Sequence, residues 1–77
     1  MIEVRFHHDL YDGFAVDEAA KVYAPYASLE LVREPESYVV RVTATGGFDE
    51  RAIAAELGNY ALGLTVERAP EPRRDSP

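Results

Sequence analysis

The residues of this chain whose types are best suited to chemistry are His7-His8-Asp9, with Asp12 three positions on. An imidazole beside a carboxylate can share a proton or contribute to a metal site. The spacing works against both uses. Adjacent strand residues point to opposite faces, so the two rings would not converge on one ion. A polar strand end with one partly buried histidine is the stronger reading. The alternative is a small metal-dependent or acid/base module using His7, His8 and Asp9, completed from elsewhere, for example across a dimer interface.

The five tyrosines come next: Tyr11, Tyr23, Tyr26, Tyr38 and Tyr60. A tyrosine joins a large apolar body to a polar tip, which suits binding surfaces. Tyr23, Tyr38 and Tyr60 fall on expected core faces. Tyr11, in the first turn, and Tyr26, at a helix end, are the better interface candidates. Asn59 is neither a good helix former nor an apolar filler. A structural hydrogen bond is its stronger use, and contact with a partner the other. Glu30, Glu34 and Glu36 gather at one turn, with Asp9 and Asp12 at another. They read as a solvated face, or as an acidic patch for a basic partner. No glycine-rich loop has phosphate-binding spacing, and Ser28, Ser37 and Ser76 have no local base.

Composition narrows the classes. Fourteen acids against eight bases give a net charge of −6 over 77 residues, which disfavours nucleic acid and anionic membrane surfaces. No apolar run approaches the roughly 20 residues of a membrane span. With no cysteine there is neither a disulfide nor a thiolate metal site, and no cofactor is expected. Residues 1–5, Met-Ile-Glu-Val-Arg, lack the basic start and apolar core of a secretory signal, so a cytoplasmic location is expected. A chain of this length has room for one thin core, which makes self-association as a homodimer a further expectation.

The elements that must position these residues follow from periodicity. Ile2, Val4 and Phe6 alternate with Glu3, Arg5 and His7, the mark of a strand with one buried face, which His8 extends. Residues 9–13 read as a turn broken by Asp12-Gly13. Val16, Ala19, Ala20 and Tyr23 recur at helical spacing, with Ala27 completing the stripe and Asp17 and Glu18 in the first turn. Pro25 marks the last turn. Residues 28–34 and 38–45 alternate again across a turn at Pro35-Glu36-Ser37, which implies an antiparallel hairpin. After Gly46-Gly47, Asp49 is an N-cap candidate, with Phe48 and Ile53 at hydrophobic-staple spacing. Ile53, Leu57, Tyr60, Ala61 and Leu64 form one helical stripe, which predicts helix to about residue 65. A short fourth strand over 64–67 is the alternative if Gly63 ends the helix. Gly58 would permit close helix packing.

The expected fold is α+β: a two-layer β-α-β-β-α split βαβ. It has a three-stranded sheet of order 1-3-2 with two helices on one face. The domain covers 1–69, and the proline-bearing tail 70–77 is expected to be disordered. The open sheet face and the two edges are the expected docking surfaces.

The same residues resemble a family. Phe6-His7-His8-Asp9-Leu10-Tyr11 leads into Asp17-Glu18-Ala19-Ala20-Lys21-Val22-Tyr23. The hairpin Leu29-Glu30-Leu31 and Tyr38-Val39-Val40-Arg41-Val42 follows, then Glu56-Leu57-Gly58-Asn59-Tyr60-Ala61-Leu62. Over about residues 2–64 this order resembles the HxsD family, the small D component of His-Xaa-Ser peptide-modification systems. The resemblance implies an accessory protein beside a radical SAM enzyme that modifies ribosomally made peptides. It would hold the precursor peptide or steady the maturase. A chain with no cysteine for an iron–sulfur cluster agrees with an accessory role. The sequence departs from the family pattern after Leu62, where Pro70 and Pro72 close the last helix. The expectation is a non-catalytic binding protein, acting by strand addition at a sheet edge, with Tyr11, Tyr26, Asn59 and His8 as partner contacts.

Overall fold

The computed structural model describes residues 1–68. Strand β1 (Ile2–His7) is followed by α1 (Gly13–Tyr23), β2 (Ala27–Arg33), β3 (Ser37–Ala44) and α2 (Glu50–Arg68). The strands form one sheet of order β1-β3-β2, and both outer strands run antiparallel to β3. This is the α+β split βαβ arrangement expected from the alternation. The boundary at residue 69 and the tail 70–77 lie outside the described residues. Among the described residues no helix is long and apolar enough to cross a membrane.

The register sets the core. Ile2, Val42 and Leu29 are neighbours across the sheet, as are Val4, Val40 and Leu31. These rows face the helices. Phe6, Val40 and Val42 join Val16 and Ala19 of α1 and Ile53, Leu57 and Ala61 of α2 in one buried cluster. Small α1 residues, Ala15 and Ala19, let that helix lie close to its neighbours.

Several boundaries differ from the sequence expectation, each for a local reason. The first helix starts at Gly13, with Asp12 as its N-cap: the Asp12 carboxylate accepts from Ala15 N–H at 3.2 Å. Asp17 and Glu18 therefore sit beyond the first turn. Gly13 lies close against a neighbour: a Cβ there would meet the Tyr38 hydroxyl at 2.5 Å, so the tyrosine side chain would have to shift. The helix ends at Tyr23 with Ala24 as C-cap, one residue before Pro25, so Ala27 opens β2 instead of closing a helical stripe. The two hairpin strands begin one residue earlier than the alternation suggested. α2 continues through Gly63 to Arg68, so residues 64–67 are helical and form no fourth strand. A Cβ on Gly58 would meet nothing within 4 Å, so that glycine mediates no close packing within the described chain.

Among the described residues no helix covers the far face of the sheet, but its charged side chains are paired. Arg41 of β3 donates to Glu3 on β1 at 3.0 Å and to Glu30 on β2 at 3.3 Å, tying all three strands together. These two carboxylates push the Arg41 guanidinium further above its ordinary value, the hydrogen bond to Glu3 first and that to Glu30 next. One row along, Arg5 reaches over the central strand to pair with Glu34. Val39 lies in that row, between Arg5 and Val32, and is only 2% exposed although no described element covers this face. The aliphatic stem of an arginine can shield apolar surface while its head stays wet.

Candidate functional site: an aromatic groove between the helices

A recess lies where the end of α1 meets the start of α2, and two loops build it. Pro25 cannot continue α1, because it lacks an N–H donor. The chain turns there, and Tyr26 N–H donates to Tyr23 C=O at 3.0 Å. On the other side, Gly46 adopts a φ of 61°, a left-handed conformation that favours glycine, and turns the chain out of β3. Phe48 N–H then donates to Thr45 C=O at 3.3 Å. One further bond ties the loops together, from Thr45 N–H to Tyr26 C=O at 3.3 Å. Asp49 caps α2 by accepting from Arg51 N–H at 3.0 Å, which starts the helix at the groove's edge.

This scaffold aligns four rings. Phe48 and Tyr26 meet edge to face with centroids 5.2 Å apart. Tyr26 lies 6.2 Å from Tyr23, and Tyr23 meets Tyr60 edge to face at 6.1 Å. The groove has a volume of about 470 Å³ and is lined by three of them, Tyr23, Tyr26 and Phe48, together with Val22, Ala52 and Ile53. That volume lies within the range of small-ligand and side-chain pockets, roughly 300–1,000 Å³. Tyr26 is 42% exposed and Phe48 50%, so the apolar surface is open to a partner. Two carboxylates, Asp49 and Glu56, complete the lining. The Tyr23 phenol is pushed above its ordinary value, first by burial and then by the negative charge of Glu56. It therefore stays protonated at neutral pH. The arrangement can hold an apolar or aromatic side chain and favours a positive charge next to it.

The residues singled out in the sequence are dispersed. Of the four expected partner contacts, Tyr11, Tyr26, Asn59 and His8, only Tyr26 lines the groove, while Tyr23, expected on a core face, lines it too. Tyr11 is half-buried, its ring edge-on to Phe6 at 4.8 Å, and it borders a second recess shared with His8, Asp9, Asp12 and Arg68. His8 stacks on Tyr38 with centroids 4.2 Å apart. His7 closes β1 on the other sheet face, where its Nδ1 accepts from Asp9 N–H at 3.3 Å. That bond engages the nitrogen nearest the Asp9 carboxylate. Among the described residues no group of three His, Cys, Asp or Glu side chains is placed to hold a metal ion. Asn59 is exposed on α2 and makes no side-chain hydrogen bond to another described residue, against the structural bond expected of it. Val22, Phe48, Asp49 and Glu56 do not stand out as binding residues in the sequence. Phe48 following Gly46-Gly47 is the available signal: a large apolar residue at a loop end.

Comparison with protein-family models, with curated proteins and with solved structures returns no match.

Proposed function

We propose that this chain is a non-catalytic accessory protein of ribosomal-peptide maturation that binds a radical SAM maturase, its precursor peptide, or both. The setting rests on the resemblance to the HxsD family. The observation that carries the binding role is the groove: the rings of Tyr23, Tyr26 and Phe48, partly exposed, with Asp49 and Glu56 at its border. Its chemistry suits a segment with an aromatic or long aliphatic residue next to Lys or Arg. The net charge of −6 favours such a basic segment over an acidic one.

β2 starts at Ala27, directly after Tyr26. It is an outer strand, so one row of its N–H and C=O groups faces away from β3. A peptide adding to that edge would gain backbone hydrogen bonds while its anchor enters the groove. The far face of the sheet is a weaker docking surface, because its arginines are already paired and its buried valine is already covered.

The test is co-expression of the tagged protein with a radical SAM maturase and a precursor peptide of such a system, followed by pull-down. Wild type retains one or both partners, and the double variant Tyr26→Ala/Phe48→Ala loses them. Failure of wild type to retain either partner at micromolar concentration refutes the setting. Retention by both proteins refutes the groove.

A further inference from the structure

α2 carries a second apolar stripe that the described residues leave exposed. Ile53, Leu57 and Ala61 face the core and are buried. At about 100° per residue, Ala52, Ala55, Asn59, Leu62 and Val66 gather around the opposite side of the helix. Leu62 is 46% exposed and Val66 66%. Their spacing alternates three and four, which is the spacing of a coiled-coil seam. Ala52, Asn59 and Val66 take the a positions, and Ala55 and Leu62 the d positions. A β-branched a residue with Leu at d favours two parallel strands, and a lone Asn at a fixes dimer and register.

We infer that the outer face of α2 is a two-fold interface with a second copy of this chain, the two helices parallel and in register. The flanking residues select a second copy as the occupant. Arg51 and Glu56 hold the g and e positions that meet across a parallel pair, and neither side chain is ion-paired to another described residue. Two-fold symmetry sets Arg51 of each copy beside Glu56 of the other, twice. The next such pair is Gly58 with Gly63. A Cβ at either would meet nothing within 4 Å, so neither glycine serves packing within the described chain. On the flanks of a seam they let two backbones approach closely. Ala52 and Glu56 also line the aromatic groove, so the pair of helices would carry one groove on each side. The interface stands whatever the groove binds.

A helix of 19 residues spans roughly 28 Å. Its seam buries less than the roughly 800 Å² per partner of a stable complex, so association falls in the micromolar range or weaker. Sedimentation equilibrium of the full chain from about 5 to about 500 μM covers that range. The mean mass should rise from 8.6 kDa toward twice that value. Leu62→Glu should hold the protein at monomer mass with an unchanged far-UV spectrum, because Leu62 lies outside the core. Asn59→Leu should tighten association about tenfold or more and admit larger assemblies. Glu56→Arg alone should weaken it, and adding Arg51→Glu in the same chain should restore it. Ala55→Cys, in a chain with no cysteine, should oxidise to a covalent dimer, since d faces d only in a parallel pair. A wild type that stays monomeric throughout overturns the inference. So does a dimer that survives Leu62→Glu, or one that Ala55→Cys does not cross-link.

Discussion

Replacing Asp12 tests how the two helices are joined. Its carboxylate caps α1 through Ala15 N–H at 3.2 Å and pairs with Arg68 Nε at 2.7 Å. Its own N–H donates to Thr65 Oγ1 at 3.1 Å, a backbone bond that a side-chain substitution leaves in place. Asp12→Ala removes the cap, which costs about 1 kcal/mol. It also removes the ion pair, whose side chains are 46% and 38% exposed, so solvent screening keeps that contribution to about 0.2–1 kcal/mol. The expected loss is therefore about 1–2 kcal/mol. A domain of this size has only roughly 4–10 kcal/mol in total. Each kcal/mol moves Tm by about 4–8 °C at this length, so the midpoint should fall by about 5–15 °C. Asp12→Asn separates the two parts. Its amide oxygen still caps the helix while the charge is gone, and it should cost about 0.2–1 kcal/mol. Urea unfolding followed by far-UV circular dichroism at pH 7 gives both numbers. If Asn is as damaging as Ala, the cap is not the dominant contribution and the reasoning fails.

Glu50 should govern part of the acid limb of stability. Its carboxyl is held below the ordinary value of 4.5, first by Ala44 N–H and then by the Met1 amine. A depressed folded-state pKa means that its stabilisation is complete above the unfolded value and is lost as pH falls through the folded one. Urea midpoints between pH 6 and pH 3 should drop less steeply for Glu50→Gln than for wild type. Gly13→Ala should destabilise by about 1–2 kcal/mol, because a methyl would press on the Tyr38 hydroxyl, offset in part by a stiffer unfolded chain. Thermal melts of that variant in a Tyr38→Phe background should show a smaller loss, since the nearest clashing atom is gone. Val39→Ala should cost about 1–2 kcal/mol by chemical denaturation, at about 0.8 kcal/mol per buried methylene. An exposed valine would cost almost nothing, so a neutral result would show that Arg5 and Glu34 do not cover it.

The sheet was legible because its signal is local. Alternation in Ile2-Val4-Phe6 and in Tyr38-Val40-Val42 gives the faces, and the short connection between β2 and β3 gives the hairpin. The start of α1 was not. Asp12-Gly13 has the composition of a breaker, and only the Ala15 N–H bond shows it as a cap. Ala27 lies four residues after Tyr23, a helical interval, yet Pro25 stands between them and hands it to a strand. Val39 is buried in a row crossed by an ion pair between residues 29 apart, beyond any local pattern. The groove was half legible. Tyr26 stood out by type and position, but its pairing with Phe48 requires two loops joined by the Thr45–Tyr26 bond. The buried stripe of α2 is readable from Ile53, Leu57 and Ala61. The outer stripe is not, because Ala52, Ala55, Leu62 and Val66 are interleaved with Arg51, Glu56 and Asn59 and have the composition of an ordinary solvated face.

The strand order also bears on how the chain reaches this structure. Partners in the β2–β3 pairing lie 5 to 17 residues apart in sequence, whereas those in the β1–β3 pairing lie 30 to 40 apart. Closing the longer loop loses more chain entropy before any contact rewards it. The hairpin should therefore be largely formed in the rate-limiting transition state, with β1 docking afterwards onto the free side of β3. Substitutions in β1, such as Val4→Ala, would then act mainly on the unfolding rate, and those in the hairpin on the folding rate. Until β1 arrives, both edges of the hairpin are unpaired. In that interval the chain is most exposed to pairing with another molecule, so misassembly during refolding should increase with protein concentration.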